Sequence, residues 1–186
     1  DSFCIGKVHY KRWGQPWPVF VPDAWGPRNS QYLTDPFTLT HLHHGTLWYT
    51  FTSFLFKQER HLSYVFVLLA LIEGIWEYEE NSIGMIRRFR SGGLSREYHG
   101  DAILNSIGDW LAAIFGFGIC WWLQKTYTKQ WARQAAIWSF LISEGMLILY
   151  QHDCLVLVWL QLLWNPESLV QFQQKETWAS VLFAIQ

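Results

Sequence analysis

Acidic, histidine and asparagine side chains punctuate four hydrophobic stretches of this chain, and nearly all of them lie at one end of each stretch. If the stretches span a membrane, those ends fall on the same face. His41, His44, Glu73, Glu77, Glu80, Asp101, Asn105, Asp109 and Glu144 then converge. An ionisable group inside hydrocarbon costs about 2.5–3.5 kcal/mol at mid-bilayer, so a cluster of them marks a functional site.

The stretches run over 37–56, 62–78, 102–123 and 135–150, and a shorter fifth covers 155–164. Lengths of roughly 17–22 residues suffice to cross a bilayer, whereas the fifth reads as a re-entrant segment or a tilted half-span. The expected fold is therefore all-α, a polytopic membrane helix bundle of four spans plus a short fifth hydrophobic segment. The 13 Trp, 13 Phe and 8 Tyr suit rings placed at lipid–water interfaces and between membrane helices.

Residues 1–36 hold five of the six prolines, with Trp13, Trp17 and Trp25 among them, and read as an extramembrane segment lying on the membrane surface. Thr34 or Asp35 caps the first helix, and Pro36 occupies its first turn. The bundle takes up 37–165, and 166–186 form an amphipathic, interfacial tail. The chain shows neither an initiator Met nor a signal peptide, so an amino-terminal anchor helix is expected to be missing.

Five Lys/Arg flank the loops after the first and third stretches, against four between the second and third. The positive-inside rule then turns the polar cluster toward the outer compartment. A net charge of −1 gives no reason to invoke nucleic acid. Cys4, Cys120 and Cys154 make no zinc spacing; Cys120 reads as a small buried apolar residue, and Cys4 could pair with Cys154 only in an oxidising compartment.

His41 and His44 are three residues apart and share a helical face, while His43 points elsewhere. Two imidazoles at that spacing can ligate a metal or hold a phosphate. Glu73, Glu77 and Glu80 form an acidic stripe with Asn81 alongside. Their mutual repulsion calls for a bound cation or for pairing with Arg88 or Arg90. Asp101, Asn105 and Asp109 share a face with Gly108, Ala112 and Gly116, whose small-xxx-small spacing permits close helix approach. Asp101 can equally serve as a helix cap. Glu144 lies two turns from His152 and Asp153, which read as interfacial loop groups. There is no GxSxG, HExxH, CxxCH or phosphate-cradling glycine loop.

NSQYLTDPFTLTHLHHG, LIEGIWEYEENSIGMIRRFR and REYHGDAILNSIGDWLAAIFGF resemble, in order and spacing, the bacterial inner-membrane family UPF0314, a family of unknown function. The resemblance runs from Cys4 to about Trp164. It adds Asn29, Ser30, Asp35, Gly45, Trp76, Ser82, Tyr98, Gly100 and Ser106 to the residues above. It implies a further amino-terminal membrane helix and no known reaction. After Asp153 the likeness fades, with Cys154 and Val158 where the family prefers polar residues, so the fifth stretch is expected outside the site. More loosely, the run Asp101–Gly108 looks like that of VanZ-type membrane proteins.

The expected function is a one-sided pocket that binds a divalent metal or a lipid phosphate headgroup, with hydrolysis or group transfer as the chemistry. His41, His44, Glu73, Glu77, Glu80 and Asp101 are the candidate ligands, and Glu77, Asp109 and His41 the candidate catalytic groups. Arg88, Arg90, Asn81, Asn105 and Tyr98 would contact substrate, since Arg matches phosphate oxygens bidentately. The rival is a non-enzymatic structural subunit of a larger membrane complex, its aromatic exterior meeting lipids or neighbouring subunits. Either reading places the chain in a bacterial inner membrane or an organellar membrane of bacterial origin. Polar groups confined to one end do not suit a transport path, which needs them through the whole depth.

Overall fold

A computed structural model describes residues 19–22, 29–56, 58–91, 98–164 and 166–173. The described residues form seven helices and no strand: α1 (Thr38–Leu55), α2 (Glu59–Glu80), α3 (Ile83–Ser91), α4 (Ile103–Thr126), α5 (Lys129–Gln151), α6 (Leu155–Leu163) and α7 (Glu167–Gln173). The expectations about Cys4 and its pairing, the three early tryptophans, an anchor helix and residues 174–186 fall outside them.

Helix α1 sits at the centre, packed most closely on α4 and also touching α2 and α5. Its carboxylate cap is the one expected. Asp35 Oδ1 accepts from the Phe37 and Thr38 amides at 2.7 and 3.1 Å, and the Thr38 hydroxyl accepts from the Asp35 amide at 3.0 Å. The α1–α4 contact is possible because glycine faces backbone. A Cβ on Gly45 would strike the Ala113 carbonyl, and one on Gly116 would strike the Leu42 carbonyl. Gly108 meets the Leu33 carbonyl in the same manner, so the small-residue face of α4 does what its spacing predicts.

Away from the acidic end the core is apolar: Tyr49, Leu62, Leu69 and Phe117 close it, with Ala132 and Ala136 letting α5 approach. At that far end Lys129 Nζ donates to the Phe56 carbonyl at 2.7 Å. Arg133 Nε donates to Ser53 Oγ at 2.7 Å, and its guanidinium also reaches the Ser53 carbonyl. Cations thus complement the C-terminal dipole of α1.

Two helices, α2 and α4, are by themselves long and apolar enough to cross a membrane, and α5 with α6 forms a third such unit bent by 73°. The fourth and fifth hydrophobic stretches are therefore the two arms of one broken element. Helix α1 does not reach that standard alone, because Thr and His residues occupy much of its length. Its polar positions are buried against neighbours: Thr40, His41, His43, Thr46, Thr50 and Ser53. The exterior is apolar instead, as at Tyr64, Leu71, Trp138, Leu149 and Leu163. Such a continuous apolar exterior matches a lipid-facing surface rather than a solvated one.

Candidate functional site: a buried histidine–carboxylate cluster

The acidic ends of α1, α2 and α4 meet, as the sequence predicts. Helices α1 and α4 enter the cluster at their N-terminal turns and α2 at its C-terminal turns, which alternating directions bring to one end of the bundle. His41 Nδ1 lies 2.7 Å from Glu73 Oε1 and 3.2 Å from Glu77 Oε1, and its Nε2 lies 4.0 Å from Asp109 Oδ2. His44 Nδ1 lies 2.9 Å from Glu73 Oε1 and 3.2 Å from Oε2. One carboxylate thus bridges both imidazoles, whose ring centroids are 5.1 Å apart. His43 faces away, toward Ser143 and Thr46, and is a satisfied core side chain.

Among the described residues, several buried atoms here have no hydrogen-bond partner: Glu77 Oε2, Glu80 Oε2, Asp109 Oδ1, His44 Nε2 and both amide atoms of Asn105, while Glu77 Oε1 has only its ion-pair contact with His41. Buried polar atoms are nearly always paired, and so many orphans in one place are the signature of a site built for something else to complete. Two sets have ligand atoms within 4.8 Å of one another: His41, His44 and Glu73, and His41, Glu77 and Glu80. Ligand atoms about 2.1 Å from a zinc-like ion sit roughly 3.4 Å apart in a tetrahedron; the His41–Glu77 spacing of 3.2 Å is close to this, and the Glu73 contacts at 2.7 and 2.9 Å are tighter.

Asp101 belongs to neither set, and its oxygens are taken. Tyr98 donates its hydroxyl to Oδ1 at 2.9 Å, and Asn81 Nδ2 donates to Oδ2 at 3.0 Å. Asn81 Oδ1 also accepts from the Asp101 amide at 2.6 Å, so Asn81 orients Asp101. Burial pushes the Asp101 carboxyl above its usual range, with Asp35 nearby adding to the effect. Burial likewise raises Asp35, and Tyr98 is pushed up by burial and by the Asp101 charge. A raised native value means that the folded state prefers the proton. The stabilisation is complete below the ordinary value of 3.8 and is lost as pH climbs through the raised one. In chelator-treated protein, thermal stability should therefore fall as pH rises from 4, and Asp101→Asn should flatten that slope. A stability that climbs with pH over this range would contradict the assignment.

The contacts shown for Arg88 lie on α6 rather than on the acidic stripe. The Arg88 guanidinium donates to the Gln161 and Leu162 carbonyls at 3.3 and 3.2 Å, tying α3 to the end of α6, and Arg90 projects from α3 as an exposed side chain. The imidazoles of His41 and His44 stand against the acidic stripe. Conversely, Asp153 is no interfacial loop group: it is fully buried and lines the cavity beside the cluster. Leu155, Val158 and Trp159 of α6 line it too, which brings the fifth stretch into the site. Glu144 sits behind this wall and caps α6, accepting from the Leu155 and Val156 amides at 3.2 and 3.1 Å. The cavity measures ≈ 70 Å³, room for several waters or a small polar group. His41, His44, Glu80, Asp101 and Asp109 supply its polar wall, and Phe37, Trp76, Phe89 and Tyr98 much of the rest.

Residues 3–175 match the family model described as "Protein of unknown function (DUF2585)". A UPF0314 protein of Paracoccus denitrificans is 32% identical over 145 residues, covering 78% of this chain and 70% of that protein. One from Agrobacterium fabrum is 34% identical over 155 residues, covering 83% and 74% respectively. One from Sinorhizobium fredii is 43% identical over 89 residues, 48% of this chain and 45% of that protein. No solved structure matches. The looser likeness to VanZ-type proteins draws no support from these matches. The chain belongs to the DUF2585 family, whose curated relatives carry the name UPF0314.

Proposed function

We propose that this member of the family is an integral membrane protein whose His41 cluster holds a divalent cation. The observation that carries the reading is the pair of ligand sets sharing His41, set among buried donor atoms that lack partners. Imidazole with carboxylate suits zinc, manganese or iron more than calcium. The four hydrophobic stretches act as spans in this reading, with the cluster toward the outer compartment as the loop cations favour.

His41, His44, Glu73, Glu77 and Glu80 would hold the cation, which would supply Lewis-acid polarisation of a phosphoryl oxygen, and Asp109 would act as the general base for hydrolysis or group transfer. Glu77 serves as a ligand or proton acceptor beside it. Tyr98 completes the polar lining, and Asn81 sets the position of Asp101. Arg88 and Arg90 are not needed for the anion, because the cation supplies the positive charge.

One feature favours a non-enzymatic subunit. Glu73 already pairs with Nδ1 of both imidazoles, so the network can staple α1 to α2 without an ion. Elemental analysis of the purified full chain, after equilibration with zinc and manganese and removal of excess, separates the two. The cation reading expects at least one tightly held ion per chain, lost in His41→Ala. An ion-free protein that co-purifies in fixed ratio with another membrane protein would sink it.

A further inference from the structure

The cavity has a second polar wall that the cation does not use. Asp153 stands at the elbow between α5 and α6, just after His152, which adopts the left-handed conformation with φ 57°. Its Oδ1 accepts from the Cys154 amide at 2.8 Å and from Gln173 Nε2 at 3.0 Å. Its Oδ2 has no partner among the described residues, although the side chain is wholly buried. Asp153 is in neither ligand set, so it faces whatever occupies the cavity rather than the ion.

The chemistry of that occupant follows from the lining. Among the described residues no Lys or Arg lines the cavity. A carboxylate with an unpaired oxygen, in a cavity that Trp76 and Trp159 also line, is a receptor for an ammonium group through a charged hydrogen bond and cation–π contact. The two indoles pack with centroids 5.3 Å apart and join α2 to α6. Trp159 is also 41% exposed, on the apolar exterior that carries Ile75, Leu160 and Leu163. The cavity is thus bounded on this side by a wall that faces acyl chains, and its occupant comes from the bilayer.

We propose that the cavity takes the head of a zwitterionic aminophospholipid, its phosphate on the cation of the His41 cluster and its ammonium between Asp153 and Trp159. The phosphate half rests on the cation reading above; the ammonium half rests on Asp153 and the indoles alone.

The test uses the full chain in detergent micelles, with and without its ion, titrated calorimetrically with three probes. These are dihexanoyl phosphatidylethanolamine, dihexanoyl phosphatidylglycerol and soluble phosphoethanolamine. The ion-loaded protein should bind the ethanolamine lipid about tenfold tighter than the glycerol lipid. Asp153→Asn should erase that preference at unchanged ion content, because the amide oxygen still accepts from Cys154 and Gln173. Trp159→Leu, at a partly exposed position, should cut the preference about threefold and guards against misfolding of the first variant. Equal binding of the two lipids by ion-loaded wild type, or a preference that survives Asp153→Asn, overturns the proposal. Soluble phosphoethanolamine binding as tightly as the lipid overturns the bilayer as source. A wild-type chain that takes up no ion fails the cation reading, and with it the seat for phosphate, through elemental analysis alone.

Discussion

Gly45→Ala should all but eliminate folded protein. The added methyl would land on the Ala113 carbonyl, with Phe117 N at 2.7 Å and Ala113 C at 2.9 Å behind it, all of them α4 backbone. A side chain could rotate away, but a helical backbone cannot, so α1 and α4 must separate. Overpacking of this kind costs about 3 kcal/mol or more, a large share of a typical domain's stability. Gly118→Ala and Gly145→Ala provide the contrast, since nothing lies within 4 Å of either added methyl. Those two should be neutral or stabilise by roughly 0.5–1 kcal/mol, because alanine favours a helix. Thermal unfolding of the three variants in detergent, followed by circular dichroism, reads the difference. A Gly45→Ala protein that melts like wild type would refute the α1–α4 packing.

Glu73→Ala carries the second large effect. Its carboxylate contacts both imidazoles and contributes to one of the two ligand sets, so its removal breaks that set and leaves His41 and His44 without their common partner. Loss of one member of a buried ionic network destabilises by about 3–5 kcal/mol when the remaining charge is uncompensated. Ion affinity should fall roughly 100-fold or more, beyond the range typical of outer-shell changes. Glu73→Gln separates the two effects, because it keeps shape and a hydrogen-bond acceptor but loses the charge. It should fold nearly as wild type and still bind the ion poorly. Arg88→Ala should keep its ion, since that guanidinium contacts only α6 carbonyls among its described partners. Competition with a chromophoric chelator measures all three. Full ion affinity in Glu73→Gln would argue that the cluster is a helix staple and nothing more.

Much of this arrangement was legible because it is local. Helical spacing alone places Glu73, Glu77 and Glu80 on one stripe and His41 with His44 on another, and alternating helix directions bring both to one end. The expected stretches 37–56, 62–78 and 102–123 lie within a few residues of α1, α2 and α4. What stayed hidden depends on pairings distant in sequence. Nothing beside Arg88 announces that carbonyls 73 and 74 residues away will claim it. Asp153 looked like loop chemistry because the 73° bend that turns it inward is set by Glu144 capping α6 from the preceding helix. Gly45 entered only through a family resemblance, since a lone glycine in a helix does not reveal the backbone it faces. By length and apolar content two helices qualify as spans, or three units with the bent pair, because much of α1 is Thr and His turned toward its neighbours.

That enclosed position of α1 bears on how the protein is made. With His41, His44 and five threonines among its residues, this segment partitions poorly into lipid by itself. Its close companion α4 begins at Ile103, nearly fifty positions past the last residue of α1. During synthesis, then, the ribosome delivers this Thr- and His-rich piece well before the scaffold that shelters it. Insertion has to follow either a delayed hand-over from the translocation machinery or a temporary stay in the headgroup zone until α4 emerges.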